Sequence, residues 1–109
     1  MMTVAELCKK AELRAIVLPE PEREIEGAYC GDLLSWVMGR AKSGDAWITI
    51  MSNLNILAVA TLADVSCVLL AEGVTPDDEL VNTAKQKGIN ILLSEKPSFE
   101  LANLVGNLI

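Results

Sequence analysis

Short runs of aliphatic and β-branched residues alternate with helix-length segments through the second half of the chain, and this alternation constrains the fold more than any other feature. The runs cover residues 46–51, 65–71 and 89–93. Each is followed by a segment long enough for a helix, at residues 54–63, 76–87 and 99–108. This spacing is typical of right-handed parallel crossovers. We therefore expect an α/β fold, with a parallel or mixed sheet and helices on both faces.

Local signals place the remaining elements. Thr3 and Glu6 have the spacing of a capping box, which predicts a first helix over residues 3–12. Residues 14–18 and 24–30 are expected to be extended, and Gly31-Asp32 can cap a helix over residues 33–40. Thr75, Pro76 and two acidic residues predict a helix start, and Gly88 predicts the end of that helix. Ser98 can cap the last helix.

The composition indicates one domain with an aliphatic core. The chain has 109 residues, and four of them are aromatic: Tyr29, Trp36, Trp47 and Phe99. About 109 residues is a usual size for a single hydrophobic core. We expect residues 1–109 to form one domain, built from helices packed on a sheet rich in Val, Ile and Leu.

Charge and hydropathy exclude several classes of partner. The net charge of −6 argues against nucleic acid, because phosphate binding needs clustered Lys and Arg. The apolar stretch over residues 56–71 is interrupted by polar residues and is shorter than a membrane span. No signal peptide is visible, and the three cysteines share no short spacing, as is typical of a reducing compartment. A cytoplasmic location is expected.

The residues that common catalytic sites require are missing. There is no histidine, so the usual general base and the Ser-His and Cys-His pairs are excluded. Residues 39–44 have the glycine spacing of a P-loop, but Asp45-Ala46 follows where Lys and Ser/Thr are required. The scattered cysteines argue against a metal site or an iron–sulfur cluster. We expect a protein without enzymatic activity, cofactor or metal.

Two other features have alternative interpretations. Cys30 precedes a predicted helix start, where backbone N–H groups lower a thiol pKa, whereas the neighbouring Asp32 opposes that effect. It is therefore either a reactive thiol or an inert one. Four glutamates alternate with other residues at positions 20, 22, 24 and 26. On an extended chain they form either a solvated acidic edge or a site for a cation or a basic partner.

The carboxyl ends of the predicted strands provide the candidate binding site. In open α/β sheets, ligands bind beyond these ends, where helix N-termini point. Four residues with small or hydrogen-bonding groups follow the strands there: Asp32, Asn53, Asn55 and Gly73. The same residue types serve as turns and caps, so capping is the alternative interpretation.

The helix predicted over residues 54–63 is apolar on nearly every side, which indicates a helix covered all round. A domain of this size has few layers to supply that cover. Either a partner covers the helix, with a homodimer as the commonest solution, or the monomer buries it completely.

Several segments together resemble a known family. They are Glu22–Tyr29, Asp32–Ser35, and the helix after Thr75-Pro76-Asp77 with Lys87–Leu92 at its end. The chain resembles a stand-alone DRTGG domain, similar in layout to the N-terminal domain of bacterial HPr kinase/phosphorylase. Glu22-Arg23 takes the place of Asp-Arg in that motif, and Glu26-Gly27-Ala28 the place of Thr-Gly-Gly.

The resemblance implies a regulatory module. DRTGG domains accompany nucleotide-sensing CBS domains in some pyrophosphatases, where they help to form dimers, and small relatives occur beside iron-only hydrogenase and redox genes. The leading hypothesis is a homodimeric, ligand-sensing domain that binds an adenine nucleotide or similar anion near Asp32, Asn53, Asn55 and Gly73. The alternative is an adaptor that docks a hydrogenase or another redox enzyme.

Overall fold

Five strands form one mixed sheet in the order β1-β5-β4-β3-β2. The computed structural model describes residues 1–109 and gives the strand bounds as β1 Arg14–Val17, β2 Gly27–Cys30, β3 Asp45–Thr49, β4 Cys67–Leu70 and β5 Ile91–Leu93. Strands β2 to β5 are parallel, and β1 is antiparallel to β5. The predicted mixed sheet is confirmed.

Helices cover both faces of this sheet, as predicted. The helices are α1 (Val4–Lys10), α2 (Leu34–Arg40), α3 (Asn55–Ala63), α4 (Asp78–Lys87) and α5 (Ser98–Leu108). Helices α1 and α5 share one core with the sheet, and α2, α3 and α4 share the other. None of the five is long and apolar enough to cross a bilayer.

The central strands are apolar on both faces, because helices cover both. Along β3, Ala46 and Ile48 point to the core of α1 and α5, whereas Trp47 points to the core of α2, α3 and α4. All three are essentially inaccessible to solvent. Strand β4 is buried along its whole length in the same way. Near-continuous apolar runs are the pattern expected of parallel strands between two helical layers.

The helix ends agree with the sequence signals at two of the predicted positions. Thr3 and Glu6 form the predicted capping box at α1, and Gly88 ends α4 with a φ of 72°. The predicted start of α4 at Pro76 is wrong. Asp77 caps this helix instead, because its carboxylate accepts the Leu80 N–H at 2.9 Å. An aspartate at the N-cap position also places its negative charge on the helix N-terminus.

Helix α3 lies between α2 and α4 and is not covered all round by its own chain. Ile56, Leu57, Val59 and Ala60 are buried. Leu62, however, is 71% exposed, and Leu54, just before the helix, is 41% exposed. The apolar outer side therefore faces solvent, which excludes complete burial within one copy of the chain.

The segment that joins β1 to β2, residues 18–26, crosses the whole sheet along the edge where the parallel strands begin. Residues 24–26, predicted to be extended with β2, belong to this crossing segment, and β2 starts only at Gly27. Hydrogen bonds fix the segment near the start of each strand that it passes. Glu20 bonds to the side chain of Asn90, Arg23 bonds to the carbonyl of Asp64, and Glu26 bonds to the carbonyl of Gly44. The four glutamates therefore lie on a bent segment and do not share one strand face.

Candidate functional site

The four residues of the candidate site lie at one edge of the sheet. Asp32 follows β2, Asn53 and Asn55 follow β3, and Gly73 follows β4. These strands are parallel neighbours, so their carboxyl ends meet at the same edge. The loops that carry the four residues all lead to helices on one face, α2, α3 and α4. We call this edge the carboxyl edge.

Asp32 does not cap α2, contrary to the prediction. Its Oδ1 accepts hydrogen bonds from Thr49 Oγ1 at 2.8 Å and from the Ile50 N–H at 3.0 Å. Beside it, the Trp47 indole N–H donates to the Gly31 carbonyl at 2.9 Å. Both contacts join the loop after β2 to β3, so one oxygen of this carboxylate has a structural role.

Leu54 occupies the N-cap position of α3, and Asn53 stabilises the turn that precedes it. Its Oδ1 accepts the Asn55 N–H at 2.9 Å at the start of α3. Both side chains are exposed at the carboxyl edge. The Asn55 side chain forms no hydrogen bond within the chain, and it is therefore free to contact a ligand.

Gly73 lines a cavity of about 160 Å³ at the carboxyl edge. The backbone φ of Gly73 is 72°, a conformation that residues with a Cβ atom rarely adopt. Its N–H donates to the Ser94 carbonyl at 3.0 Å. The other residues around the cavity come from three segments: Glu12, Arg14, Val74, Thr75, Leu93, Ser94 and Glu95.

Topology explains why the cavity forms beside Gly73. The loop after β4 leads to α4 on one face, and the loop after β5 leads to α5 on the other face. Neighbouring loops that diverge in this way leave a crevice between them. The loops after β2 and β3 both lead to the same face and leave no such gap. Asp32, Asn53 and Asn55 accordingly share the edge with Gly73 but do not line its cavity.

Hydrogen bonds hold the two diverging loops together. The Glu72 N–H donates to the Lys96 carbonyl at 2.9 Å, and the Lys96 N–H donates to Ser94 Oγ at 3.1 Å. Glu72 Oε2 accepts the Ser98 N–H at 2.8 Å, so Glu72 caps α5, the role predicted for Ser98. The wall of the cavity is therefore built before any ligand binds.

The charges around the cavity are mixed. Arg14 supplies a guanidinium at the start of β1, and Glu12 and Glu95 supply carboxylates. Thr75 and Ser94 add hydroxyl groups. The lining therefore combines one cationic side chain, two carboxylates and two hydroxyl groups. Arg14 is absent from the predicted site, because the antiparallel pairing that brings Arg14 beside Leu93 leaves no mark in the sequence.

A second cavity, of about 130 Å³, lies at the opposite edge, beneath the crossing segment. Arg23, Asp64, Lys87 and Asn90 are among its lining residues. The Arg23 guanidinium bonds to the carbonyl of Asp64 at 2.8 Å and to its carboxylate at 3.1 Å. The Ser43 hydroxyl and this guanidinium lower the pKa of the Asp64 carboxyl below its usual value of 3.8. Asp64 and Arg23 therefore fasten the crossing segment to the end of α3.

The thiols lack the features of an activated nucleophile. Burial raises the pKa of the Cys30 thiol, and the Asp32 carboxylate raises it further. Burial likewise raises the pKa of the Cys8 thiol, and raises that of Cys67 to about 12. At neutral pH these thiols are protonated, which favours the inert interpretation of Cys30. No three His, Cys, Asp or Glu side chains are grouped to hold a metal ion.

Comparison with known proteins gives a family and a similar solved structure. Curated protein sequences provide no significant match. The solved structure is the CBS and DRTGG domains of the regulatory region of Clostridium perfringens pyrophosphatase, complexed with the activator diadenosine tetraphosphate. The TM-score is 0.70 at 18% sequence identity, over 94% of this chain and 45% of that chain. The present chain thus spans less than half of that regulatory region and shares the fold of the part that it matches.

The family model that matches is that of the DRTGG domain, over residues 26–108. The match begins at Glu26. Glu22-Arg23, the counterpart of the Asp-Arg of the family motif, therefore lies outside the matched residues. It includes strands β2 to β5 and both loops that border the Gly73 cavity. The chain therefore belongs to the DRTGG domain family.

Proposed function

We propose that this protein is a non-catalytic regulatory domain that senses a small ligand at the carboxyl edge and works as a homodimer. The observation that carries the proposal is the cavity beside Gly73, at the point where the loops after β4 and β5 diverge. It is lined by groups that recognise polar ligands, and its wall is fixed by hydrogen bonds between the two loops, from the N–H groups of Glu72 and Gly73 to the carbonyls of Lys96 and Ser94. Preformed concave sites with a few convergent polar groups are typical of ligand-binding domains.

The proposed ligand is an adenine nucleotide or a similar small anion. The similar pyrophosphatase region is described as complexed with diadenosine tetraphosphate. In the present chain, Arg14 is the guanidinium available to an anionic group at the cavity, with Thr75 and Ser94 as hydrogen-bonding neighbours. Asp32, Asn53 and Asn55 extend the polar edge toward β2, where a base or ribose of a larger ligand would lie.

Thermal unfolding and calorimetric titration with AMP, ADP, ATP and diadenosine tetraphosphate test this proposal. A ligand that binds the folded state alone stabilises it by about 2.7 kcal/mol at 100 times its Kd. We expect at least one of these nucleotides to raise Tm. Arg14→Gln is expected to weaken that binding roughly tenfold, since it removes one charge-assisted contact.

Two further variants locate the site. Lys85→Gln is the matched control, because it removes the same charge from an exposed position in the last turn of α4. Asn55→Ala tests the part of the edge outside the cavity. Unchanged Tm with all four nucleotides would contradict the ligand proposal. Binding that responds to Asn55→Ala but not to Arg14→Gln would move the site to the loops after β2 and β3.

The dimer part of the proposal rests on the exposed apolar side chains near α2 and α3. Leu33, Trp36, Met38, Leu54 and Leu62 are each between 41% and 71% exposed. Large apolar side chains that stay exposed on a small domain are typical of a surface that another protein covers.

The same exposed side chains favour the alternative function, a protein–protein adaptor for a hydrogenase or another redox enzyme. The two functions differ in what covers the exposed apolar side chains near α2 and α3: a second copy of the chain or a redox enzyme. Affinity capture from the native cell with the wild-type chain and with Trp36→Ser distinguishes them. Recovery of a redox enzyme that is lost with the variant supports the adaptor, whereas recovery of no protein beyond the chain itself contradicts it.

A further inference from the structure

Three charged side chains border the Gly73 cavity, and none of them is paired within the chain. Glu12 and Glu95 supply carboxylates, and Arg14 supplies a guanidinium. The only ion pair of the chain lies at the opposite edge of the sheet, in the crossing segment, so neither carboxylate neutralises Arg14. The cavity therefore offers a ligand one free positive charge and two free negative charges.

Glu12 reaches this cavity through an unusual backbone conformation. It follows Ala11, the C-cap residue of α1, and has a φ of 54°. Glycine is the usual residue just after a helix end at such a φ, because a Cβ atom disfavours it. The chain thus places a carboxylate at the rim of the cavity where the backbone favours a residue without a side chain.

The buried wall of the cavity provides a donor for a ligand oxygen. Ser94 is 8% exposed. Its Oγ accepts the Lys96 N–H at 3.1 Å, and its own hydroxyl proton has no acceptor within the chain. A buried donor without an acceptor is costly, so this hydroxyl favours a ligand that brings one. Together with the Arg14 guanidinium, it suits an anionic oxygen such as that of a phosphate group.

The volume and the charge of the cavity limit the form in which a phosphate enters. A cavity of about 150 Å³ holds a molecule the size of benzene. The Gly73 cavity, at about 160 Å³, therefore has room for one phosphate group with an ion beside it, and the rest of a nucleotide must lie outside. A phosphate without a counterion would meet two carboxylates and one guanidinium, and the like charges would repel it.

We propose that the Gly73 cavity binds the terminal phosphate of a nucleotide in its Mg²⁺ complex. Arg14 and Ser94 donate to the phosphate oxygens, and the two carboxylates bind the hydrated ion. Proteins usually hold Mg²⁺ in this way, with one or two carboxylates, substrate phosphates and water. No third carboxylate or thiolate is grouped with this pair, so the ion arrives with the nucleotide. This inference rests on the proposed nucleotide binding and specifies the form of the ligand.

Calorimetric titration of the full chain with ATP, in excess Mg²⁺ and in EDTA, tests the inference. ATP is expected to bind roughly tenfold more tightly in Mg²⁺. Glu95→Gln is expected to have opposite effects in the two conditions. It should weaken binding of the Mg²⁺ complex about threefold, because the ion loses a ligand, and strengthen binding of free ATP about threefold, because a repulsion is removed. Mg²⁺ alone is expected to leave Tm unchanged.

Glu22→Gln is the matched control, because it removes the same charge from an exposed position at the opposite edge. It is expected to leave ATP binding unchanged in both conditions, and circular dichroism checks the fold of each variant. Equal affinity for ATP in Mg²⁺ and in EDTA would overturn the Mg²⁺ complex and leave the nucleotide proposal standing. A change of the same sign in both conditions with Glu95→Gln would do the same. Absence of ATP and ADP binding in either condition would overturn both.

Discussion

Asn90 shows how one buried side chain can hold distant parts of the chain together. It is 2% exposed, and its side chain satisfies three backbone groups. Oδ1 accepts the Glu20 N–H at 2.9 Å, and Nδ2 donates to the carbonyls of Glu20 and Ser66 at 2.8 and 3.0 Å. These bonds join the crossing segment to the starts of β4 and β5. The sequence predicts a strand over residues 89–93, which includes Asn90. No sequence pattern distinguishes an asparagine whose side chain binds backbone groups from one that lies within a strand.

Replacing Asn90 by alanine is therefore expected to destabilise the protein by about 2–4 kcal/mol, since buried backbone groups lose their partners. Urea unfolding of the variant and the wild type measures the difference. Asn82→Ala is the control, because Asn82 is exposed on α4. Equal loss in both variants, or a loss below about 0.5 kcal/mol for Asn90→Ala, would contradict the structural role.

At the scale of elements, the loop between β2 and α2 is held by β3 and not by its own helix. Thr49 is buried, donates to Asp32 at 2.8 Å and accepts the Met51 N–H at 3.1 Å. Trp47 holds the preceding residue, Gly31, through its indole. The loop that leads into α2 is thus positioned by two side chains of the neighbouring strand.

Thr49→Val keeps the shape and β propensity of this side chain and removes its hydroxyl. We expect a loss of about 1–3 kcal/mol and faster amide hydrogen exchange in residues 31–34, because Asp32 loses a charge-assisted bond. Mass-spectrometric hydrogen exchange measures the second effect. Thr61→Val serves as the comparison, since its hydroxyl bonds only to Leu57 within α3. Unchanged exchange over residues 31–34 would show that Trp47 and the Ile50 N–H fix the loop without the Thr49 hydroxyl.

The elements themselves could be predicted well from the sequence, whereas their arrangement could be predicted only in part. All five strands and five helices were expected, because apolar runs and capping signals are local. The end of α4 at Gly88 follows from such a signal. The antiparallel position of β1 beside β5 depends on pairing between distant segments. The Gly73 cavity was accordingly expected at the right edge, but without Arg14.

At the scale of the whole molecule, the free energy of unfolding depends on the ionisation of the Asp64 carboxyl, which binds Arg23 of the crossing segment. Ser43 and Arg23 lower the pKa of Asp64 in the folded protein. A lowered folded pKa means that the stabilisation is present above the unfolded value of 3.8 and is lost as the pH falls through the folded pKa. Because Asp64 is well exposed, the contribution is expected to be below about 1 kcal/mol.

Asp64→Asn tests this dependence. Asparagine tolerates the positive φ of 57° at this position, so the backbone is preserved. The variant is expected to be slightly less stable than the wild type at pH 7, and the difference is expected to shrink at pH values below the unfolded pKa. Urea unfolding between pH 2.5 and 7 measures it, with Glu22→Gln as the exposed control. A difference that is independent of pH would assign the effect to something other than the carboxylate charge.

Helix α1 begins beside the crossing segment, at the edge where the parallel strands start, because the Val4 N–H donates to the Arg23 carbonyl at 2.9 Å and the Ile25 N–H donates to the Met2 carbonyl at 2.8 Å. A fluorophore, affinity tag or fused reporter protein attached at Met1 would therefore lie at the edge of the sheet opposite the Gly73 cavity. Labelled or immobilised forms of the protein should consequently leave that cavity accessible in binding measurements.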